Sequence, residues 1–169
     1  TITDKIFLNG ALSFMPSSSG CVLENTVLES ISISGTTMTL DNNVIGTGGN
    51  HVVDVYGGSS TISNNTINGR LIVHQNSNPL IENNFIKGGI LVIGASPRIL
   101  NNTITEGFSS FNTMAAIAIE GDAAVITDNT IYGCKCGIII ATGFSTIRNN
   151  LIINNDKGIQ VGASGVEYS

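Results

Sequence analysis

The sequence predicts an all-β solenoid of about seven coils, with three short strands in each. Three observations predict it. A short motif recurs, in which an apolar residue is followed by two spacers, an Asn, one spacer and a second apolar residue. It reads Ile62-Ser63-Asn64-Asn65-Thr66-Ile67, Ile81-Glu82-Asn83-Asn84-Phe85-Ile86 and Ile99-Leu100-Asn101-Asn102-Thr103-Ile104. The motif returns about every 20 residues, the mark of a chain in which each repeat stacks on the next. The composition is that of β-structure with many tight turns: 41% hydrophobic and 11% charged residues, 20 Gly and 3 Pro in 169 residues.

Residues 1–20 do not carry the motif and are expected to form an incomplete first coil or a cover for the open end, with a turn over Met15-Pro16-Ser17-Ser18-Ser19-Gly20. The repeats occupy residues 21–169 as a single domain. Beyond the three copies above, the frame fits Val22–Val27 around Asn25, Leu40–Ile45 around Asn43, Ile126–Ile131 around Asn129 and Ile147–Ile152 around Asn150. Both apolar positions of each copy are expected to face inward. A third strand then carries two inward residues at period two: Ile31/Ile33, Val53/Val55, Leu71/Val73, Ile90/Val92, Ile117/Ile119, Ile138/Ile140 and Ile159/Val161. The step from this pair to the next copy is nearly constant. The step from the Asn to the pair varies, so insertions collect in one loop per coil, often the binding side. Asn suits the corner because it tolerates left-handed backbone at low cost, and because its stacked amide both donates and accepts hydrogen bonds.

Charge and length exclude several classes of partner. The net charge is −5 with no basic run, which argues against nucleic acid. No apolar run approaches the roughly 18 residues of a membrane span. The chain starts at Thr1 without a signal peptide, as expected of a mature protein or a piece of a longer one. Cys21, Cys134 and Cys136 read as small apolar residues, since Cys134-Lys135-Cys136 is too tight for an ordinary disulfide. With only two His in the chain, no metal set is apparent, and no cofactor motif is present.

The repeat over residues 21–162 resembles the right-handed parallel β-helix of the pectin-lyase-like superfamily, in its short-repeat branch described as NosD-like or as carbohydrate-binding and sugar-hydrolysis modules. The resemblance implies a substrate groove along the outer face of the strand after the variable loop. On that face Asp54, Tyr56, Arg70 and His74 fall on two neighbouring coils. Strands about 4.8 Å apart would set Tyr56 beside His74. A uronate lyase or epimerase needs a cation for the substrate carboxylate, a base and an acid, and Arg70, His74 and Tyr56 are the candidates for those catalytic roles. A glycosidase needs two carboxylates roughly 5–10 Å apart, whereas Asp54 and Glu120 would stand about 14 Å apart. The motifs of polygalacturonases and calcium-dependent pectate lyases are not found.

The same face turns apolar through Ile72, Leu91, Ile93 and Ile139, and an apolar outer stripe is usually covered. The longest loop, about 105–115, brings Phe108 and Phe111, which could stack on sugar beside Glu120 or fold over the stripe. Two functions are therefore expected. One is an extracellular or cell-surface module that recognises polysaccharide, with lyase or epimerase activity if it is an enzyme. The other is a structural or adhesive module, a homo-oligomer joined through the apolar face or by end-to-end stacking.

Overall fold

The computed structural model describes residues 1–4, 6–35, 37–46, 51–110, 113–162 and 167–168, with the backbone alone at 6–9, 51, 109–110, 113 and 167–168. Apart from one 3-10 turn at Pro16–Ser18, every regular element among them is a strand. The first face is a sheet of nine parallel strands, from Ile2–Thr3 through Cys21–Glu24, Met38–Asp41, Thr61–Ser63 and their successors to Glu167–Tyr168. The second face includes Val44–Ile45, Thr66–Ile67, Phe85–Lys87 and Thr103–Thr105. The third includes His51–Tyr56, Arg70–Val73, Ile90–Ile93, Thr113–Glu120 and Cys136–Thr142. In the first two coils single long strands, Ile6–Phe14 and Val27–Ser34, run from the second face into the third and merge both into one 15-stranded sheet. Residues 1–20 thus build a coil of their own, with Ile2 opposite Leu23, Leu12 opposite Ile31 and Phe14 buried.

The core is a set of stacked columns, because identical registers repeat from coil to coil. Leu40, Ile62, Ile81, Ile99, Ile126 and Ile147 form one column, and Ile45, Ile67, Ile86, Ile104 and Ile131 another. Almost all are fully buried, each worth about 2–3 kcal/mol of apolar transfer. The third-strand pairs face inward as expected, and only Ile159 and Val161, in the last described coil, stay exposed.

The first copy of the motif sits one residue later than the spacing suggests. Leu23 pairs with Leu40 and Leu28 with Ile45, so Val22 and Val27 lie on the outer side and Thr26, not Asn25, occupies the Asn position. Residues 22–28 are apolar at both 22/23 and 27/28, so period alone fits either frame, and a one-residue slip exchanges the two faces. Val52 likewise belongs to the core, where a bulge opposite Arg70/Leu71 turns it inward.

The two tasks expected of one corner Asn are divided between neighbours. The residue before the stacked Asn takes the left-handed turn: Asn42, Asn64, Asn83, Asn101, Asp128 and Asn149 have φ between 52° and 58°. The stacked Asn makes the ladder. Asn84 accepts on Oδ1 from the backbone N–H and Nδ2 of Asn65, at 2.9 and 3.0 Å. Its own Nδ2 donates to Ile62 O, to Glu82 O and to Asn102 Oδ1. The same bonds run unbroken from Asn43 to Asn150, and Thr26 N–H ends the series on Asn43 Oδ1.

Candidate functional site

On the third face alternate residues point outward, and the parallel register stacks those of successive coils. Ser34 pairs with Tyr56, and Asp54 with both Ser32 and Ile72. One residue past the pair Val55/Val73, Tyr56 meets His74 as a direct neighbour. Their rings stack with centroids 3.9 Å apart and planes 9° from parallel. Asp54, diagonal to His74, places Oδ1 3.0 Å from His74 Nε2. An ionised carboxylate can only accept, so this contact puts a proton on Nε2 and fixes the ring against Tyr56; in the neutral imidazole Nδ1 is then the acceptor. His74 and Asp54 are about three-quarters buried, while Tyr56 is 43% exposed. Partial burial first, and the negative charge of Asp54 second, push the Tyr56 phenol above the ordinary tyrosine range.

Next to this trio the chain turns sharply, with Gly57 and Asn76 in left-handed conformations. The turn is tied by the Gly57 N–H donating to Ser77 Oγ at 2.6 Å. A shallow depression of about 480 Å³ opens there, lined by Tyr56, Gly57, His74, Gln75, Asn76 and Ile93. Glu120 pairs with Ile93 across the next coil, so it stands at the far rim of the depression.

The fourth predicted residue lies elsewhere. Arg70 opens the strand that His74 follows, about 13 Å away along an extended chain. Its guanidinium carbon lies 5.1 Å from the Phe108 ring centroid, and its Nε is buried without a hydrogen-bond partner among the described residues. Phe108 reaches this position because Phe108–Ser110 folds back antiparallel on Thr113–Glu120. There it packs on an outer apolar cluster of Ala115, Ala118, Cys136 and Ile139, together with Leu91. Gly89 makes room, since a Cβ there would stand 2.7 Å from Phe108 Cδ1. Of the apolar stripe, Ile72 and Ile139 are buried and Ile93 alone is exposed at 37%; the hairpin residue Phe108 packs with Ile139 and Leu91. Phe111 lies outside the described residues.

The cysteines are free thiols in different surroundings. Cys136 belongs to the outer cluster and Cys134 to the main core, where Cys134 extends a second ladder: its Sγ accepts from Gly107 N–H and its N–H donates to Asn155 Oδ1. Burial pushes both thiols up. Among the described residues no three His, Cys, Asp or Glu side chains come together as a metal site, and no helix is long and apolar enough to cross a membrane.

Residues 29–168 match the family model described as a right-handed β-helix region. The chain belongs to the right-handed β-helix family. No curated protein and no solved structure matches it significantly. Family membership defines the scaffold, and in a β-helix any activity resides in side chains placed on its faces. On this β-helix the sequence reading missed Gln75 and Asn76 beside the trio. The polar run His74-Gln75-Asn76 just past a buried strand is the signal that marks them.

Proposed function

We propose that this right-handed β-helix is a polysaccharide-recognition module, acting outside the cell or at its surface, and that it binds at the corner where Tyr56, His74 and Asp54 meet. The observation that carries the reading is an exposed tyrosine stacked on a carboxylate-anchored histidine at the edge of a depression. Exposed aromatic surface packs on the C–H face of a sugar ring, and few, fixed polar groups orient a ligand. Asp54, Gln75 and Asn76 supply such groups. The arrangement is pre-organised, since neither ring needs to move to receive a ligand.

The same trio holds a base and an acid: His74 Nδ1 accepts, and a phenol pushed up stays protonated at neutral pH. That supports lyase or epimerase chemistry less well than recognition, because the cation such chemistry needs is held over Phe108 instead of beside His74. A glycan-binding and polymer-cleavage screen of the full chain tests both. Binding abolished by Tyr56→Ala, without new unsaturated ends, is expected. Cleavage or epimerisation lost in His74→Ala would establish an enzyme.

The structural or adhesive reading is favoured by a separate observation, the exposed apolar edge of the last described coil, with Leu151 at 53%, Ile159 at 37% and Val161 at 40%. Concentration-dependent growth in light scattering, with silence on every glycan, would support that reading over the first.

A further inference from the structure

We infer that the saccharide taken at the Tyr56–His74 corner is uncharged, and that this site selects against uronates. The inference rests on the recognition reading and names the class of sugar. Acids flank the depression on both sides. Asp54 lies on the coil before His74, and Glu120 on the coil after Ile93, both partly exposed. The lining between them is neutral apart from His74: Tyr56, Gly57, Gln75, Asn76 and Ile93. Were His74 protonated, its charge would be matched by Asp54 at 3.0 Å, leaving Glu120 unbalanced.

Among the described residues no Lys or Arg lines the depression. Of the chain's 7 Lys and Arg, the described ones on the third face are Arg70 and Lys157. Arg70 is about 13 Å along the strand from His74 and is held on Phe108. Lys157 lies at the start of the last third-face strand, Lys157–Val161, four coils from Arg70. A carboxylate entering the depression would therefore meet two like charges and no partner, a penalty of about tenfold or more in affinity at low salt.

Hydrogen bonding points the same way. Asp54 spends Oδ1 on His74, and its Oδ2 is a further acceptor on the same carboxylate. A carboxylate oxygen accepts and never donates while ionised, so it recognises hydroxyl groups and repels a carboxylate. In the neutral imidazole, with Nε2 donating to Asp54, His74 Nδ1 is a second acceptor. Two acceptors beside an exposed aromatic ring suit a pyranose whose edge presents neighbouring hydroxyls.

The test is affinity electrophoresis of the full chain at low salt, through gels containing neutral polymers (β-glucan, mannan, xylan, galactan) or acidic ones (polygalacturonate, alginate, hyaluronate). Tyr56→Ala and Asp54→Asn are run beside it, with folding verified by circular dichroism. The expected result is retardation by at least one neutral polymer, weakened tenfold or more in Tyr56→Ala and severalfold in Asp54→Asn, with no retardation by the acidic set. Retardation by an acidic polymer that disappears in Tyr56→Ala would overturn the neutral-sugar inference and leave recognition at this corner standing. Retardation indifferent to both substitutions, or none with any polymer, would overturn both.

Discussion

Asn84 engages its Oδ1 and its amide protons within the stack, to Asn65, Ile62, Glu82 and Asn102, while almost completely buried. Removing the amide strands several backbone groups without water, and each buried unpaired group costs about 1–3 kcal/mol. Asn84→Ala is therefore expected to lose about 3 kcal/mol or more in urea unfolding. The neighbour Asn83 has the opposite requirement. At φ 58° its backbone conformation matters more than its side chain, so Asn83→Gly should be nearly neutral and Asn83→Val should cost about 1–2 kcal/mol. Burial also sets the chemistry of the thiols. With Cys134 and Cys136 pushed up and enclosed, a thiol reagent at pH 8 is expected to label Cys21 in the folded protein and all three residues only after denaturation. Tyr56, with its folded value raised, holds its proton more tightly folded than unfolded. Its contribution to stability is thus complete below the ordinary tyrosine range and fades as pH rises through the raised value. Phenolate absorbance should show a late alkaline phase that is lost in Tyr56→Phe and moves to lower pH in Asp54→Asn.

The hairpin Phe108–Ser110 against Thr113–Glu120 departs from the repeat, and of the two roles expected of the longest loop it takes that of a cover. Phe108→Ala should remove about 2 kcal/mol, since the ring is only partly buried and also faces Arg70. The same change should uncover Leu91 and Ile139, read as increased binding of a hydrophobic dye. Most of the β-helix could be read from sequence because inward Ile and Val recur with period two and the Asn recur by coil. Where the signal failed, the cause lies in the residues themselves. Val22-Leu23 and Val27-Leu28 are both apolar, so only the ladder chooses the frame, and Thr26 is a less recognisable end to it than an Asn. In the candidate site, Tyr56 beside His74 followed from strand spacing alone. Arg70 did not, because a cation drawn to a ring from a distant loop leaves no trace in the spacing of its own strand.

A β-helix has no centre: each coil touches only the one before and the one after, so stability is close to a sum of neighbour terms. Hydrogen exchange should follow that geometry. Amides of Ile90–Ile93, between two coils, are expected to exchange far more slowly than those of Lys157–Val161, where Ile159 and Val161 face solvent. Uniform protection along the axis would contradict this. The ladder has an additional consequence. Asn84 joins its neighbours by the same bonds whether 18 residues separate it from the next Asn or 19 from the previous one, and the interval of 27 between Asn102 and Asn129 closes equally well. Leu80 stands opposite Arg98, so a tandem duplication of residues 80–97 would insert one complete coil with every column and every amide in place. The length of such a molecule can therefore drift by whole coils over generations. A single codon gained within Arg98–Leu100 would instead turn the core outward, and one gained within Phe108–Ser110 would slip the hairpin that packs over Leu91 and Ile139.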